Sequence, residues 1–166
     1  MKINFDLASF EAVKSRKASV NFNEVEEARI ASQITKNKLP ITVRSYICGI
    51  NNQEYFGIRS KGCKGVSVIA SEHNTNLIMQ YAATGETEES FEPQDNEKEN
   101  DNADNSAMLS IARALLQNNQ TIQMIPSYKT DGKIRGIWYS RFVNFEFYFD
   151  ATDNIKQMFA DYNQAF

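Results

Sequence analysis

The stretch ITVRSYICGINNQEYFGIRS, residues 41–60, decides the fold of this chain. Apolar and polar side chains alternate from Ile41 to Cys48, which is the two-residue period of a strand with one buried face. Asn51-Asn52 follows as a turn signal, and a second strand-like run extends from Glu54 to Ser60. The sequence therefore predicts an antiparallel hairpin here.

The length of the hairpin loop determines which side chains face each other. With Asn51-Asn52 as a two-residue loop, Arg44 lies opposite Arg59 on the face turned away from the core. Tyr46 and Tyr55 lie on the same face. Two like charges directly opposite each other are unfavourable. We therefore expect an anion between them, either a carboxylate from a helix or a phosphate.

Further helix and strand signals lie on both sides of the hairpin. Asn23 and Glu26 have the spacing of a capping box, and Asp6 with Phe5 and Phe10 has the pattern of an N-cap with a hydrophobic staple. Helices are predicted within residues 1–22, over 23–37, 74–83 and 106–117 and from residue 153, and strands over 41–48, 54–60, 66–71, 121–128, 134–140 and 142–149. The predicted fold is α+β, an antiparallel sheet of about six strands with helices packed on one face.

The order helix, strand, strand, strand, helix occurs twice along the chain. Ser45-Tyr46 corresponds in position to Ser127-Tyr128, and Gly57-Ile58 corresponds to Gly136-Ile137. A tandem duplication is one interpretation, and chance similarity of two hairpins is the other. The predicted organisation is an N-terminal helix (1–22), a first half (23–83), an acidic flexible loop (84–105) and a second half (106–166), in one compact domain.

The formal net charge of -3 conceals an uneven distribution of charged residues. Residues 36–65 hold six basic residues and one acidic residue, and residues 105–145 hold five and one. Residues 86–104 hold nine acidic residues and a single lysine. Two basic segments thus flank a strongly acidic one, and the weakly acidic average does not exclude an anionic partner.

The acidic segment has Phe91 as its only large apolar residue and shows neither a helical nor a strand period. Such a composition does not compensate for the entropy of ordering, so a flexible linker or long loop is predicted. It serves either as a solvated spacer, or as a nucleic-acid mimic, or as an internal competitor for the chain's own basic surface. Its acidic residues are Glu86, Glu88, Glu89, Glu92, Asp95, Glu97, Glu99, Asp101 and Asp104.

Basic and aromatic side chains on the predicted uncovered face are typical of a platform for single-stranded nucleic acid. Aromatic rings stack on bases, and cations hold the phosphate backbone. The candidate binding residues are Arg44, Tyr46, Tyr55, Arg59, Lys61, Lys64, Lys129, Lys133, Arg135, Trp138 and Arg141. Simple structural packing is the alternative, because aromatic residues favour strands in any case.

Catalysis has little support in the sequence. His73 is the only histidine, and its surroundings, SEHNTN, favour a turn or cap role. The chain contains no Gly-rich phosphate loop, HExxH or GxSxG motif, and no calcium-loop spacing. We therefore expect no enzyme activity, no cofactor and no metal.

Cysteine usage and hydropathy bear on the compartment. Cys48 and Cys63 form neither a disulfide framework nor a CxxC motif, which favours a reducing interior. The chain has no apolar run of membrane-spanning length, and its start lacks the apolar stretch of a secretory signal. A cytoplasmic protein without membrane contact is expected.

Two function hypotheses remain. The first is a small intracellular accessory protein that binds single-stranded DNA or RNA on the basic aromatic sheet face. The second is a protein-protein interaction module that binds a nucleic-acid-binding protein through its acidic loop. An example would be an inhibitor of a nucleic-acid-processing or defence complex, of the kind that phages or plasmids encode. The apolar C-terminal residues suit either a homodimer contact or a helix packed on its own sheet: Met158, Phe159, Tyr162 and Phe166.

Overall fold

The computed structural model describes residues 23–95, 106–126 and 132–164. The helices are α1 (Glu24–Lys36), α2 (Glu72–Thr84), α3 (Ala107–Gln117) and α4 (Asp153–Asp161). The strands are β1 (Ile41–Ile47), β2 (Glu54–Arg59), β3 (Val66–Ile69), β4 (Gln123–Met124), β5 (Lys133–Tyr139) and β6 (Val143–Asp150). The helix predicted within residues 1–22 lies outside the described residues, as does the end of the strand predicted over 121–128.

A polar side chain caps the N-terminus of each described helix. Asn23 Oδ1 accepts from the Glu26 amide at 2.9 Å, as the capping-box spacing predicted. Ser71, Ser106 and Thr152 do the same for α2, α3 and α4. Since these caps satisfy amides that have no partner inside the helix, they determine where each helix begins. With Ser71 as its cap, α2 begins at Glu72, two residues before the predicted start at residue 74.

The six strands form one sheet in the order β3-β2-β1-β6-β5-β4. Neighbouring strands are antiparallel except β1 and β6, which are parallel. The α+β class is confirmed, whereas the purely antiparallel sheet is wrong. The reason lies in the two meanders of three strands, since the first and third strands of a meander run in the same direction. The first meander (β1–β3) and the second (β4–β6) lie side by side in the same order and orientation. As a result β1, the first strand of one meander, lies next to β6, the third strand of the other, and runs parallel to it.

The hairpin of β1 and β2 has a longer loop than predicted. Residues 49–52 form the loop, closed by a hydrogen bond from the Cys48 amide to the Gln53 carbonyl at 2.8 Å. Arg44 therefore faces Gly57, and the predicted register is wrong by two residues. Because the shift is even, Arg44 still lies on the predicted face of the sheet.

The proposed correspondence between the two halves does not match the faces of the sheet. Gly136 lies on the side of the helices, where a Cβ atom would come within 2.6 Å of Ile122 Cγ2. Gly57, paired with Arg44, lies on the other side. Aligning Gly57-Ile58 with Gly136-Ile137 thus joins residues of opposite faces and gives no support to a duplication. Ser127-Tyr128 lies outside the described residues.

All four described helices pack on one face of the sheet. Their apolar sides join the inward side chains of the strands in a single buried cluster, centred on residues such as Phe56, Ile58, Phe145 and Phe147. Helix α1 lies along β3, where Glu27 Oε1 accepts from the Ser67 amide at 2.9 Å. This contact covers an edge that would otherwise expose unpaired amides. In the described parts of the chain, no helix is long and apolar enough to cross a membrane.

The C-terminal helix packs on its own sheet. Met158 and Phe159 of α4 belong to the buried cluster, and the Phe159 ring lies 6.1 Å from that of Phe149. Tyr162 is partly buried against the same cluster. Of the two interpretations of these residues, the structure supports packing within the chain; Phe166 lies outside the described residues.

Glu54 connects the β1–β2 hairpin to the second half of the chain. Its Oε1 accepts from the Ala107 amide at the start of α3, at 2.8 Å. Burial raises the pKa of the Glu54 carboxyl, although the hydrogen bonds to it act in the opposite direction. The folded state then binds a proton more readily than the unfolded state. The contribution of Glu54 to the free energy of unfolding is therefore lost as the pH rises through the pKa that Glu54 has in the folded state.

We expect Glu54→Gln to weaken the pH dependence of stability. Glutamine keeps an acceptor for the Ala107 amide but does not titrate. The extra stability that protonation of Glu54 gives at low pH is therefore absent from the variant. Urea denaturation at about pH 5 and about pH 8 measures the difference in unfolding free energy. Glu88→Gln, at an exposed position, is the control. An equal pH difference in the Glu54 variant and the unaltered chain would contradict the assignment.

Candidate nucleic-acid interface

The face of the sheet opposite the helices, called the second face below, carries most of the predicted binding residues. The ladder pairings place on it Thr42, Arg44, Tyr46, Tyr55, Arg59, Ser67, Ile69, Lys133, Arg135, Ile137, Tyr139, Asn144, Glu146 and Tyr148. Of the eleven predicted binding residues, six are in this set: Arg44, Tyr46, Tyr55, Arg59, Lys133 and Arg135. The alternation of the strands had assigned the first four to this face.

One carboxylate lies between the two arginines that the hairpin brings together. Glu146 Oε1 pairs with Arg44, and Glu146 Oε2 lies 3.5 Å from Nη2 of Arg59. Arg44 retains only 7% of its surface exposed, whereas Arg59 is partly exposed. Of the two expected anions, the structure thus contains a carboxylate. It comes from the neighbouring strand β6 and not from a helix, because β6 lies directly beside β1.

Tyr148 lies between two arginines on this face. The Arg44 guanidinium is 5.6 Å and the Arg135 guanidinium 4.8 Å from the centre of its ring. The ring remains 38% exposed, and Tyr139 on β5 is 62% exposed. Neither tyrosine was among the predicted site residues. The sequence contained a signal for Tyr148, because the alternation of β6 placed Tyr148 on the same face as Glu146.

Tyr46 and Tyr55 are engaged with each other. Their rings stack at 5.8 Å and 20°. The Tyr46 hydroxyl donates to Ser67 Oγ at 3.0 Å, and the Tyr55 hydroxyl donates to Glu24. Burial raises the pKa of both hydroxyls, which keeps them neutral. With Cys48 and Ile69 these rings form a small apolar cluster, so they are less suited to base stacking than Tyr139 and Tyr148.

Trp138 lies on the helix-covered face, contrary to the prediction. Its ring is 5.8 Å from that of Phe145, and its Nε1 donates to Gln120 Oε1 at 3.2 Å. Gly136, two residues earlier on the same face, leaves room for Ile122. The side of β5 that faces the core therefore carries Ile134, Gly136 and Trp138, and Ile137 faces outward.

The remaining predicted cations lie at the ends of the sheet. Lys61 and Lys64 are exposed in the β2–β3 loop, and Arg141 is exposed in the β5–β6 turn. Both connections lie at the end where Arg59 faces Thr42 and where β1 and β6 begin, so they extend the basic surface beyond Arg59. Lys133 lies at the other end and pairs with Asp150. Lys129 lies outside the described residues.

The first part of the acidic segment, residues 86–95, is a loop attached to the helices. The Phe91 ring is buried, and the Phe91 amide donates to Ser32 Oγ at 2.9 Å. Asn74 accepts from the Glu92 amide and donates to the Glu92 carbonyl, each at 2.9 Å. This part is irregular, as predicted, but it is held in place at two points. The sequence signal for this attachment was Phe91, the single large apolar residue of the acidic segment.

The carboxylates of this loop remain on the surface. Glu86 pairs with Lys38 at 3.0 Å, and Glu88 and Glu89 are exposed. His73 contacts the Ser90 carbonyl at 2.9 Å through Nε2, while its Nδ1 lies 3.5 Å from Glu89. The histidine thus contacts the loop, in keeping with the structural role that the sequence favoured. Glu92 and Asp95 are partly buried, and Glu97, Glu99, Asp101 and Asp104 lie outside the described residues.

The possible metal ligands and the cysteines of the described residues were the other candidates for a site. Within the described ranges, no group of three or more histidine, cysteine, aspartate or glutamate side chains is arranged to hold a metal ion. Cys48 is buried and Cys63 is half-buried, and both are free thiols. No protein family, curated protein sequence or solved structure shows a significant match to this chain. The second face and the acidic loop must therefore be interpreted from their own chemistry.

Proposed function

We propose that the protein binds single-stranded DNA or RNA across the second face. The observation that supports this best is a partly exposed ring between two arginines. Arg44 and Arg135 lie beside the Tyr148 ring, and Glu146 pairs with Arg44 and approaches Arg59 on the same face. Guanidinium groups pair well with phosphates, and an exposed ring offers a surface on which a base stacks.

The dimensions and charge of the second face suit an extended strand of nucleotides. A four-stranded sheet accommodates about two or three stacked bases in other sheet platforms. Here Tyr148 and Tyr139 lie on adjacent strands, β6 and β5. The backbone would then continue over Arg59 towards the exposed loop lysines, Lys61 and Lys64.

The stacking role of Tyr148 can be tested by fluorescence anisotropy with a labelled oligothymidine at low salt. We expect Tyr148→Ala to weaken binding by roughly 5-fold to 100-fold, because base stacking on a ring contributes about 1–3 kcal/mol. Tyr148→Phe keeps the ring and is the matched control, with an affinity close to that of the unaltered chain. Equal losses in the two variants would contradict stacking. Since phosphate contacts weaken as salt rises, an affinity independent of salt would contradict the proposal as a whole.

The acidic loop supports a second candidate function, binding to a basic protein. Glu86, Glu88 and Glu89 are exposed on a loop that the buried Phe91 ring holds in place. A fixed row of carboxylates resembles a nucleic-acid backbone more closely than a freely moving one would. This candidate predicts a different outcome in the same measurement, namely no binding of the oligonucleotide at any salt concentration.

A further inference from the structure

We infer that Glu86 competes with a phosphate of the bound strand for Lys38, so that the acidic segment weakens the binding of single-stranded nucleic acid. This inference rests on the proposed function and concerns how that binding is regulated. The competition takes place at the end of the sheet where β1 and β6 begin, called the basic end below. The exposed cations of the basic end are Lys38, Lys61, Lys64 and Arg141.

Three connections of the chain meet at the basic end, namely the α1–β1 connection, the β2–β3 loop and the β5–β6 turn. Ser60 Oγ, where the β2–β3 loop begins, donates to the Pro40 carbonyl of the α1–β1 connection at 2.9 Å. The Ile41 amide donates to the Phe142 carbonyl of the β5–β6 turn at 2.8 Å. The four cations on these connections therefore share one end of the sheet, and such a group of like charges attracts a polyanion.

The acidic segment begins at this same end. Gly85 ends α2 with a φ of 73°, and a Cβ atom there would overlap the Phe142 ring. Thr84 Oγ1 accepts from the Glu86 amide at 3.1 Å. The Glu86 carboxylate in turn lies 3.0 Å from Lys38 Nζ. The first carboxylate of the acidic segment is thus already paired with a cation of the basic end.

The pair of Lys38 and Glu86 is suited to exchange with a phosphate. The lysine side chain is 56% exposed and the carboxylate side chain 71% exposed, and such exposed pairs are weak. A phosphate can therefore take the place of the carboxylate without burying or uncovering the core. The other three cations form no ion pair within the residues that the structure describes. A strand that leaves the second face past Arg59 then meets three available cations and one that is occupied.

Replacing Glu86 with glutamine removes the competing charge and keeps the size of the side chain. We expect Glu86→Gln to bind a labelled oligothymidine of about ten nucleotides roughly 2–5-fold more tightly than the unaltered chain at low salt. The slope of log affinity against log salt concentration should become steeper by about 0.7, because one more phosphate is neutralised. Glu88→Gln, the same change of charge two residues along the segment, is the matched control and leaves the slope unchanged.

Two double variants with equal net charge separate a local competition from a general effect of charge. Glu86→Gln with Lys38→Gln should lose the gain in affinity, because the cation that the first change uncovers is then absent. Glu86→Gln with Lys36→Gln should keep the gain, since Lys36 is exposed at the end of α1 but is not the partner of Glu86. Equal affinities of the two double variants, or equal slopes of Glu86→Gln and Glu88→Gln, overturn the inference.

The same titrations distinguish failure of this inference from failure of the proposed function. If the unaltered chain binds oligothymidine and the salt slope is the same in all variants, the second face still binds nucleic acid and only the competition by Glu86 is refuted. If neither the unaltered chain nor any variant binds oligothymidine at low salt, the proposed function is refuted, and the inference with it.

Discussion

Replacing Glu146 with glutamine is expected to lower the free energy of unfolding by about 3–5 kcal/mol. Glu146 pairs with Arg44 and lies 3.5 Å from Arg59, and Arg44 is buried. The large loss expected does not come from a large attraction in the pair. It arises because the variant removes the negative charge that lies between two neighbouring guanidinium groups, one of which is buried.

The measurement is urea denaturation at about pH 7. Asp150→Asn is the matched control, since its pair with Lys133 is exposed and we expect a loss of less than about 1 kcal/mol. A double variant, Arg44→Met with Glu146→Leu, should recover most of the lost stability because both buried charges are then absent. A loss in Glu146→Gln no larger than that of the control would contradict the assigned role of Glu146.

Replacing Asn74 with alanine is expected to cost about 2–4 kcal/mol and to release the acidic loop. Asn74 is fully buried. Its amide nitrogen donates to the Ile69 and Glu92 carbonyls at 2.8 and 2.9 Å, and its oxygen accepts from the Glu92 amide. Alanine offers none of these bonds, so buried backbone groups lose their partners, and the Phe91 anchor beside them weakens.

Two measurements separate the two effects of this substitution. Urea denaturation gives the loss of stability, and limited proteolysis shows whether residues 86–95 become accessible to cleavage. Asn76→Ala, at an exposed position of the same helix, is the control for the change in helix propensity. If the two variants lose equal stability and are cleaved at equal rates, Asn74 does not hold the loop.

Much of the local structure followed from short-range patterns. The capping box at Asn23 and the alternation in β1 and β6 predicted these elements to within about two residues, because both signals act over neighbouring residues. The assignment of Arg44 and Arg59 to one face was correct despite the wrong loop, since an even shift of register preserves the face.

The candidate site was less predictable than the fold. Arg44, Arg59, Tyr46 and Tyr55 were assigned correctly to the second face, but Trp138 was not. Trp138 packs against Phe145 of the neighbouring strand, a contact between residues that are not close in sequence. The mutual stacking of Tyr46 and Tyr55 depends likewise on their pairing across two strands. Tyr148 became a central residue because Arg135 and Arg44 approach it from both sides.

The sequence by itself determined the class of fold, the helix starts and the side of the sheet to which most charged residues belong. Only the tertiary structure decided that β1 and β6 are parallel neighbours, and this contact brings Glu146 between Arg44 and Arg59. It likewise decided that Phe91 attaches part of the acidic segment to the helices. Periodicity and capping are properties of residues a few positions apart. The order of strands and the partner of a buried charge depend instead on residues as many as 102 positions apart, which meet only when the core is packed.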